Sequence, residues 1–232
     1  MIDFADPKAV AKAIQYTNVN PDLTRNGVLE HLRTAQEYGF DAAMIAPVWV
    51  SLGKEVLAGT GVNVASTLNF PMANDTLGMR LAALRELARA GADEFDFPPH
   101  PGYLLGGQVD EYTRDMNEIV KAAHDEGMKV KAMLEFGYLD EAQKVLATRI
   151  AYEAGIDWVK QSSGWGVGGC AATVEDVALL KANIEPPCRV KVSGKVNSLE
   201  KMQAMFEAGA ELVGTSSAPQ IVDGLVGDVD AY

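Results

Sequence analysis

A short phrase recurs along this 232-residue chain: one residue, then glycine, an apolar residue and a charge. It reads Tyr38-Gly39-Phe40-Asp41, Ala90-Gly91-Ala92-Asp93, Glu126-Gly127-Met128-Lys129, Ala154-Gly155-Ile156-Asp157 and Ala208-Gly209-Ala210-Glu211. Each copy follows a stretch with helical periodicity and precedes a short apolar run. The glycine suits a helix C-cap, because it takes up positive φ without strain. Successive glycines lie 52, 36, 28 and 54 residues apart. The span therefore holds about six units of roughly 28 residues, the length of one βα unit.

The flanking patterns agree. Behind Thr24, an expected N-cap, Val28, Leu29, Leu32 and Ala35 fall on one helical face. Behind Asp75, Leu77, Leu81, Leu84 and Ala88 do the same. Apolar runs at residues 42–46, 62–67, 94–97, 130–134, 158–160, 189–192 and 212–214 predict buried parallel strands. A first strand near 16–19 makes eight. Alternating strands and helices in that number predict an α/β fold, a (β/α)8 TIM barrel. It forms one domain over residues 1–232, with a short N-terminal helix and a tail at about 225–232 that is expected to be mobile. The alternative, a doubly wound open sheet, calls for Gly-x-Gly-x-x-Gly after the first strand, and the chain has none there.

Composition narrows the function. A net charge of -12 argues against nucleic acid, which needs a clustered basic surface. No run of about 18 apolar residues suggests a membrane span. The first residues are acidic and lack an apolar signal core, and the two cysteines, Cys170 and Cys188, make no disulfide framework, so a cytoplasmic setting is expected. His31, His100 and His124 are scattered without metal-ligand spacing, so neither metal nor cofactor is expected.

A (β/α)8 barrel carries its chemistry at the C-terminal ends of its strands. In order these offer Asn18, Met44, Thr67 with Asn69, Asp96, Glu135, Lys160, Lys191 and Gly214-Thr215-Ser216-Ser217. Lys160 and Lys191 end apolar runs, where a barrel core tolerates lysine poorly. Burial, or a second cation nearby, lowers an amine's pKa and leaves it neutral. A neutral amine attacks carbonyls, so the pair points to Schiff-base chemistry. A lone lysine would instead snorkel to solvent. Two on adjacent strands, facing Asp96 from a third, weigh against that. Glu135 is either a buried partner for a lysine or catalytic, and Asp93 and Glu94 read as caps or ion pairs at a strand start. Gly164 after Ser162-Ser163, Gly194 after Ser193, and Gly214 before Ser216-Ser217 suit an anion held by backbone N–H groups. The bland alternative is tight turns alone.

These segments resemble the deoxyribose-phosphate aldolases. Val159-Lys160-Gln161-Ser162-Ser163-Gly164 is similar to that family's Lys-Thr-Ser-Thr-Gly motif, and Gly91-Ala92-Asp93-Glu94-Phe95-Asp96 to its Gly-Ala-Asp-Glu-(Ile/Val)-Asp. Val190-Lys191-Val192-Ser193-Gly194, Gly214-Thr215-Ser216-Ser217, Thr67-Leu68-Asn69-Phe70-Pro71 and Leu134-Glu135-Phe136-Gly137-Tyr138-Leu139 also fit, in order, from about residue 14 to 224. The resemblance implies a class I aldolase without metal, acting on small aldehydes and sugar phosphates. It implies Lys160 as the Schiff-base lysine, Lys191 as the second lysine and Asp96 as the proton shuttle. Gly164, Gly194, Lys195, Gly214, Ser216, Ser217 and Thr67 would hold substrate or phosphate, with Asn18, Glu135 and the terminal Tyr232 accessory. A homodimer or higher homo-oligomer is expected.

The chain departs from the family near the substrate. Gln15 stands where Asp is usual, and Gly194-Lys195-Val196-Asn197 replaces Gly-Gly-(Ile/Val)-Arg. Trp165 follows the Schiff-base motif, and Phe97-Pro98-Pro99-His100-Pro101 follows Asp96. Lys195 suits a phosphate, whereas Trp165 suits an unphosphorylated or more apolar aldehyde. Other readings stay open: an imine-forming lyase or dehydratase with another substrate, or a phosphate-binding barrel without catalysis.

Overall fold

The computed structural model describes residues 2–166 and 168–224. All five recurring glycines lie at or one residue past a helix C-cap, with φ between 66° and 116°. Each turns the chain from a helix into a strand. The strands are β1 (Ile14–Asn18), β2 (Ala42–Ile45), β3 (Asn63–Thr67), β4 (Glu94–Phe97), β5 (Lys129–Met133), β6 (Trp158–Lys160), β7 (Arg189–Ser193) and β8 (Leu212–Thr215). They form one closed parallel barrel in sequence order. It closes where Ile14 and Gln15 of β1 pair with Val213 and Gly214 of β8.

Strand β1 starts two residues before the expected 16–19. Ile14 is fully buried and pairs across the closing seam, but polar Gln15 beside it masks the start in the sequence. The expected caps are mostly in place. Thr24 accepts from the Gly27 N–H at the head of helix Arg25–Tyr38. Thr76, not Asp75, caps helix Leu77–Ala90. Asp140 and Gln143 form a reciprocal capping box on helix Glu141–Glu153. The short N-terminal helix is Pro7–Ala11. The tail at 225–232, and with it Tyr232, lies outside the described residues.

The main core fills the space between sheet and helices, where Phe95 and Phe97 of β4 are fully buried. Period-two alternation sets Glu94 and Asp96 of the same strand on the opposite face, inside the barrel. One inner wall is apolar, a cluster of Ala42, Met44 and Ala65. The facing wall is charged. Among the described residues, no helix is long and apolar enough to cross a membrane.

His31, in helix Arg25–Tyr38, belongs to the core. It is buried, stacks on the Tyr16 ring at 4.0 Å and sits 3.1 Å from the Tyr16 carbonyl oxygen. Burial pushes its pKa down to about 4, so it is a neutral core residue.

Candidate active site

Strand register brings the ionisable residues together. Asp96 of β4 aligns with Lys131 of β5, Met133 of β5 with Lys160 of β6, and Lys160 with Lys191 of β7. All four charged residues are at most 2% exposed. Asp96 Oδ2 accepts from Lys191 Nζ at 2.7 Å and from Lys160 Nζ at 3.1 Å. The two lysines and the carboxylate singled out in the sequence therefore meet at one oxygen atom. Gly214 makes room for this: a Cβ there would stand 2.6 Å from Ser193 Oγ and 3.1 Å from Lys191 Cε.

Two charged members of the cluster are not singled out as site residues in the sequence. Lys131 Nζ lies 2.6 Å from Glu94 Oε2 and 3.5 Å from Asp96 Oδ1. Glu94 accepts from Gln15 Nε2 at 2.6 Å. So Glu94 does form an ion pair, but inside the barrel rather than at a solvated strand start. The signal was available: stepping back two residues from Asp96 gives Glu94, and from Met133 gives Lys131. Lys131 is disguised by Lys129, which is exposed.

Burial and neighbouring charge compete at each group. Burial favours a protonated Asp96, but Lys191, Lys160 and Lys131 outweigh it and hold the carboxyl far below its usual range. Burial also disfavours charge on Lys131, yet Glu94 and Asp96 raise its pKa. For Lys191 burial wins: aided by the Lys160 and Lys131 charges and opposed by Asp96, it pulls the amine down to about 7. Lys160 and Lys191 share one carboxylate oxygen, so Asp96 links the two amines directly.

The amines open on a void of about 10 Å³, about the room one water needs, bounded by Thr17, Val19, Met44, Thr67, Phe70 and Met133. Thr17 and Val19 also line a cavity of about 590 Å³ at the barrel mouth. Its wall includes Asn18, Gly164, Trp165, Gly194, Lys195 and Ser216. The Trp165 ring meets Phe70 edge-on at 5.9 Å. Trp165 lines the large cavity and Phe70 the void at the amines, so this aromatic pair joins the two walls.

The rest of the expected substrate set is spread around this axis. Gly194 needs glycine: its φ is 93°, and a Cβ would run into the Cys170 carbonyl oxygen. Thr67 lines the inner void, and Ser217 begins the short helix Ala218–Val222. Asn197 is buried and accepts from Lys201 Nζ at 2.7 Å. Glu135 lies beneath the loop that follows Lys160. Its carboxylate accepts from the Ser163 N–H at 2.7 Å, and the Ser162 hydroxyl donates to it at 3.5 Å. Ser162 Oγ in turn accepts from the N–H groups of Gly164 and Cys170. The loop from Lys160 to the cavity wall is thus laced from below.

No protein-family profile matches the chain. Individual proteins do. The deoxyribose-phosphate aldolase of Thermococcus gammatolerans is 41% identical over 217 residues, covering 93% of this chain and 96% of that protein. Its namesake from Thermococcus kodakarensis is 38% identical over 219 residues, covering 94% and 97%. Among solved structures, the deoxyribose phosphate aldolase from Aeropyrum pernix superposes with a TM-score of 0.86 at 30% identity, covering 94% of this chain and 92% of that one.

Proposed function

The chain belongs to the deoxyribose-phosphate aldolase family, and from that premise we propose that it is a class I aldolase whose Schiff base forms on Lys160. The observation that carries the reading is the convergence of Lys160 and Lys191 on one oxygen of Asp96. In the synthetic direction Lys160 first passes its proton to Lys191 by way of Asp96, which both amines touch, and the neutral Lys160 amine then attacks the carbonyl carbon of acetaldehyde. Asp96, ionised at rest, takes a proton from the amine and passes it to the new alkoxide. A second proton, from the Lys191 ammonium, leaves with the hydroxyl as water, and a protonated imine remains. That imine is an electron sink. The adjacent carbon loses a proton to Asp96, which hands it on to the acceptor's oxygen in the next step, and its electron pair flows toward nitrogen to give an enamine. The enamine carbon then attacks an acceptor aldehyde, whose oxygen takes up a proton. Water adds to the imine and releases the aldol product, and retro-aldol cleavage is the reverse.

The substrate we assign is 2-deoxy-D-ribose 5-phosphate, cleaved to acetaldehyde and glyceraldehyde 3-phosphate. Its phosphate would lie in the large cavity among Gly164, Gly194, Lys195 and Ser216, with Gly214, Ser217 and Thr67 shaping the path. Asn18 and Glu135 take accessory roles. A second reading draws on Trp165: an indole in the cavity wall favours an unphosphorylated or more apolar acceptor. Comparing kcat/KM for 2-deoxyribose with and without the 5-phosphate decides between them. The same proposal includes a cytoplasmic setting and a homo-oligomer. Cys170 and Cys188 are free thiols, and the Aeropyrum pernix relative is described as tetrameric. Light scattering would give the subunit count.

The central test is chemical trapping. Acetaldehyde with borohydride should leave a reduced two-carbon adduct on Lys160, located by mass spectrometry. Lys160→Met should fold, give no adduct, and lose at least about a thousandfold in turnover. An adduct elsewhere, or substantial turnover in the variant, refutes the assignment. A folded wild type without any adduct favours a barrel that binds phosphate without catalysis.

A further inference from the structure

Gln15 is fully buried inside the barrel, and its amide is used at every polar hydrogen and at its oxygen. Nε2 donates to Glu94 Oε1 at 2.6 Å and to Asp41 Oδ2 at 2.8 Å, while Oε1 accepts from Lys191 Nζ at 2.7 Å. The partners fix the amide's orientation, because carboxylates only accept and an ammonium only donates. Lys191 is thus held from two sides, by Asp96 and by the Gln15 oxygen.

The charges around this point can be counted. From β4 come Glu94 and Asp96, from β5 Lys131, from β6 Lys160 and from β7 Lys191, all buried. Asp41, just before β2, is only partly buried and meets the amide from the rim. Glu135, just after β5, is a further buried carboxylate that feels the Lys160 charge, but burial pushes its pKa up to about 7, so it is only partly ionised at neutrality. Among the described residues, the three buried amines therefore meet the fully ionised Asp96 and the ion-paired Glu94 along the axis. In a dry interior an unpaired cation is costly, and the cluster sheds the proton instead.

We propose that Gln15 is a positioning residue for the Schiff-base chemistry: it offers Lys191 a neutral amide instead of a carboxylate, and so leaves the cluster one negative charge short and one amine neutral. The inference rests on the reading of Lys160 as the imine-forming lysine. The depressed pKa of Lys191 accords with a cluster short of negative charge, although there the Lys160 charge is among the causes and the proton is lost from Lys191. A carboxylate at residue 15 would hold one more proton on the Lys160–Lys191 pair, and the nucleophile would be freed only at higher pH. It would also stand against Glu94 and Asp41, where the amide now donates to both.

The experiment is the pH dependence of borohydride trapping and of kcat with acetaldehyde as donor, in wild type and three variants. Gln15→Glu keeps the side-chain length, and Gln15→Asp is shorter in case the first does not fold. In either, the pH midpoint for adduct formation should rise by about one unit or more, with turnover at pH 7 down roughly tenfold and recovering near pH 9. Gln15→Met keeps the charge count but loses the hydrogen bonds. Its rate should fall while its midpoint stays at the wild-type value. A midpoint unmoved in Gln15→Glu or Gln15→Asp overturns the inference and leaves the imine reading intact. A midpoint that moves equally in Gln15→Met reduces Gln15 to a structural role and also overturns it. Failure to trap Lys160 in the wild type overturns both readings.

Discussion

Glu135 is the most constrained single residue near the site. Its backbone is left-handed, with φ 50° and ψ 58°, a region that costs a non-glycine residue about 1–3 kcal/mol. The conformation turns its carboxylate back under the loop of Ser162 and Ser163. Burial pushes that carboxyl up to about 7, against hydrogen bonds from Ser163 and Ser162 and the Lys160 charge. A carboxyl raised from 4.5 favours the protonated folded state. Its stabilising contribution is complete below pH 4.5 and is lost as pH climbs to about 7. The full transition is worth roughly 3 kcal/mol. Glu135→Gln keeps an oxygen to accept from Ser163 but cannot ionise. By calorimetry from pH 4 to 8, the wild-type Tm should fall more steeply than that of Glu135→Gln; parallel curves would dispose of the argument. At this scale the sequence is half legible. Lys160, Lys191 and Asp96 stand out because each lies in or at the end of a short apolar run that leads to the barrel mouth. Lys131, Glu94 and Gln15 sit at the start or middle of their strands, where a polar residue looks like the solvent side of an alternating pattern.

Helices and strands are coupled by a polar stitch that periodicity does not disclose. Arg80, in helix Leu77–Ala90, is 1% exposed, although one apolar face alone would leave it at the surface. Its guanidinium pairs with buried Asp115 of helix Val109–Asp125, donates to the Pro98 carbonyl at 2.7 Å, and lies 5.4 Å above the Phe97 ring. The stitch ties two helices to the end of β4, two residues beyond Asp96. Removing one member of a buried pair strands the other charge, so Arg80→Ala should lose about 3–5 kcal/mol in urea denaturation. Removing both leaves no orphan, and Arg80→Ala with Asp115→Ala should lose less than the sum of the single changes. Strict additivity would show that the two do not act as a unit. The elements themselves were legible for a simple reason: glycine punctuates each helix end, and strands buried on both faces read as apolar runs. Only β1 was misplaced, because Gln15 breaks its apolar run.

At the scale of the whole molecule, closure dominates. Every strand has two parallel neighbours only because β8 pairs with β1. Parting any two strands creates two unpaired edges at once, exposes backbone groups, and opens a charged axis whose members hold one another's pKa values in place. The hydrophobic core outside the sheet is likewise continuous, running from Val10 to Ile221 through every strand. Partial opening therefore forfeits pairing, packing and charge compensation together, and no subset of strands keeps all three. The three tryptophans sample separate regions: Trp49 in the turn after β2, Trp158 at the start of β6, and Trp165 at the mouth. Each should report the same event. Equilibrium unfolding in urea should give one midpoint by tryptophan fluorescence, by far-ultraviolet circular dichroism and by the loss of Lys160 trapping. Trapping that disappears at a lower urea concentration than helix content would mean that the mouth opens before the barrel. The lysine cluster would then depend on local loops rather than on closure of the sheet.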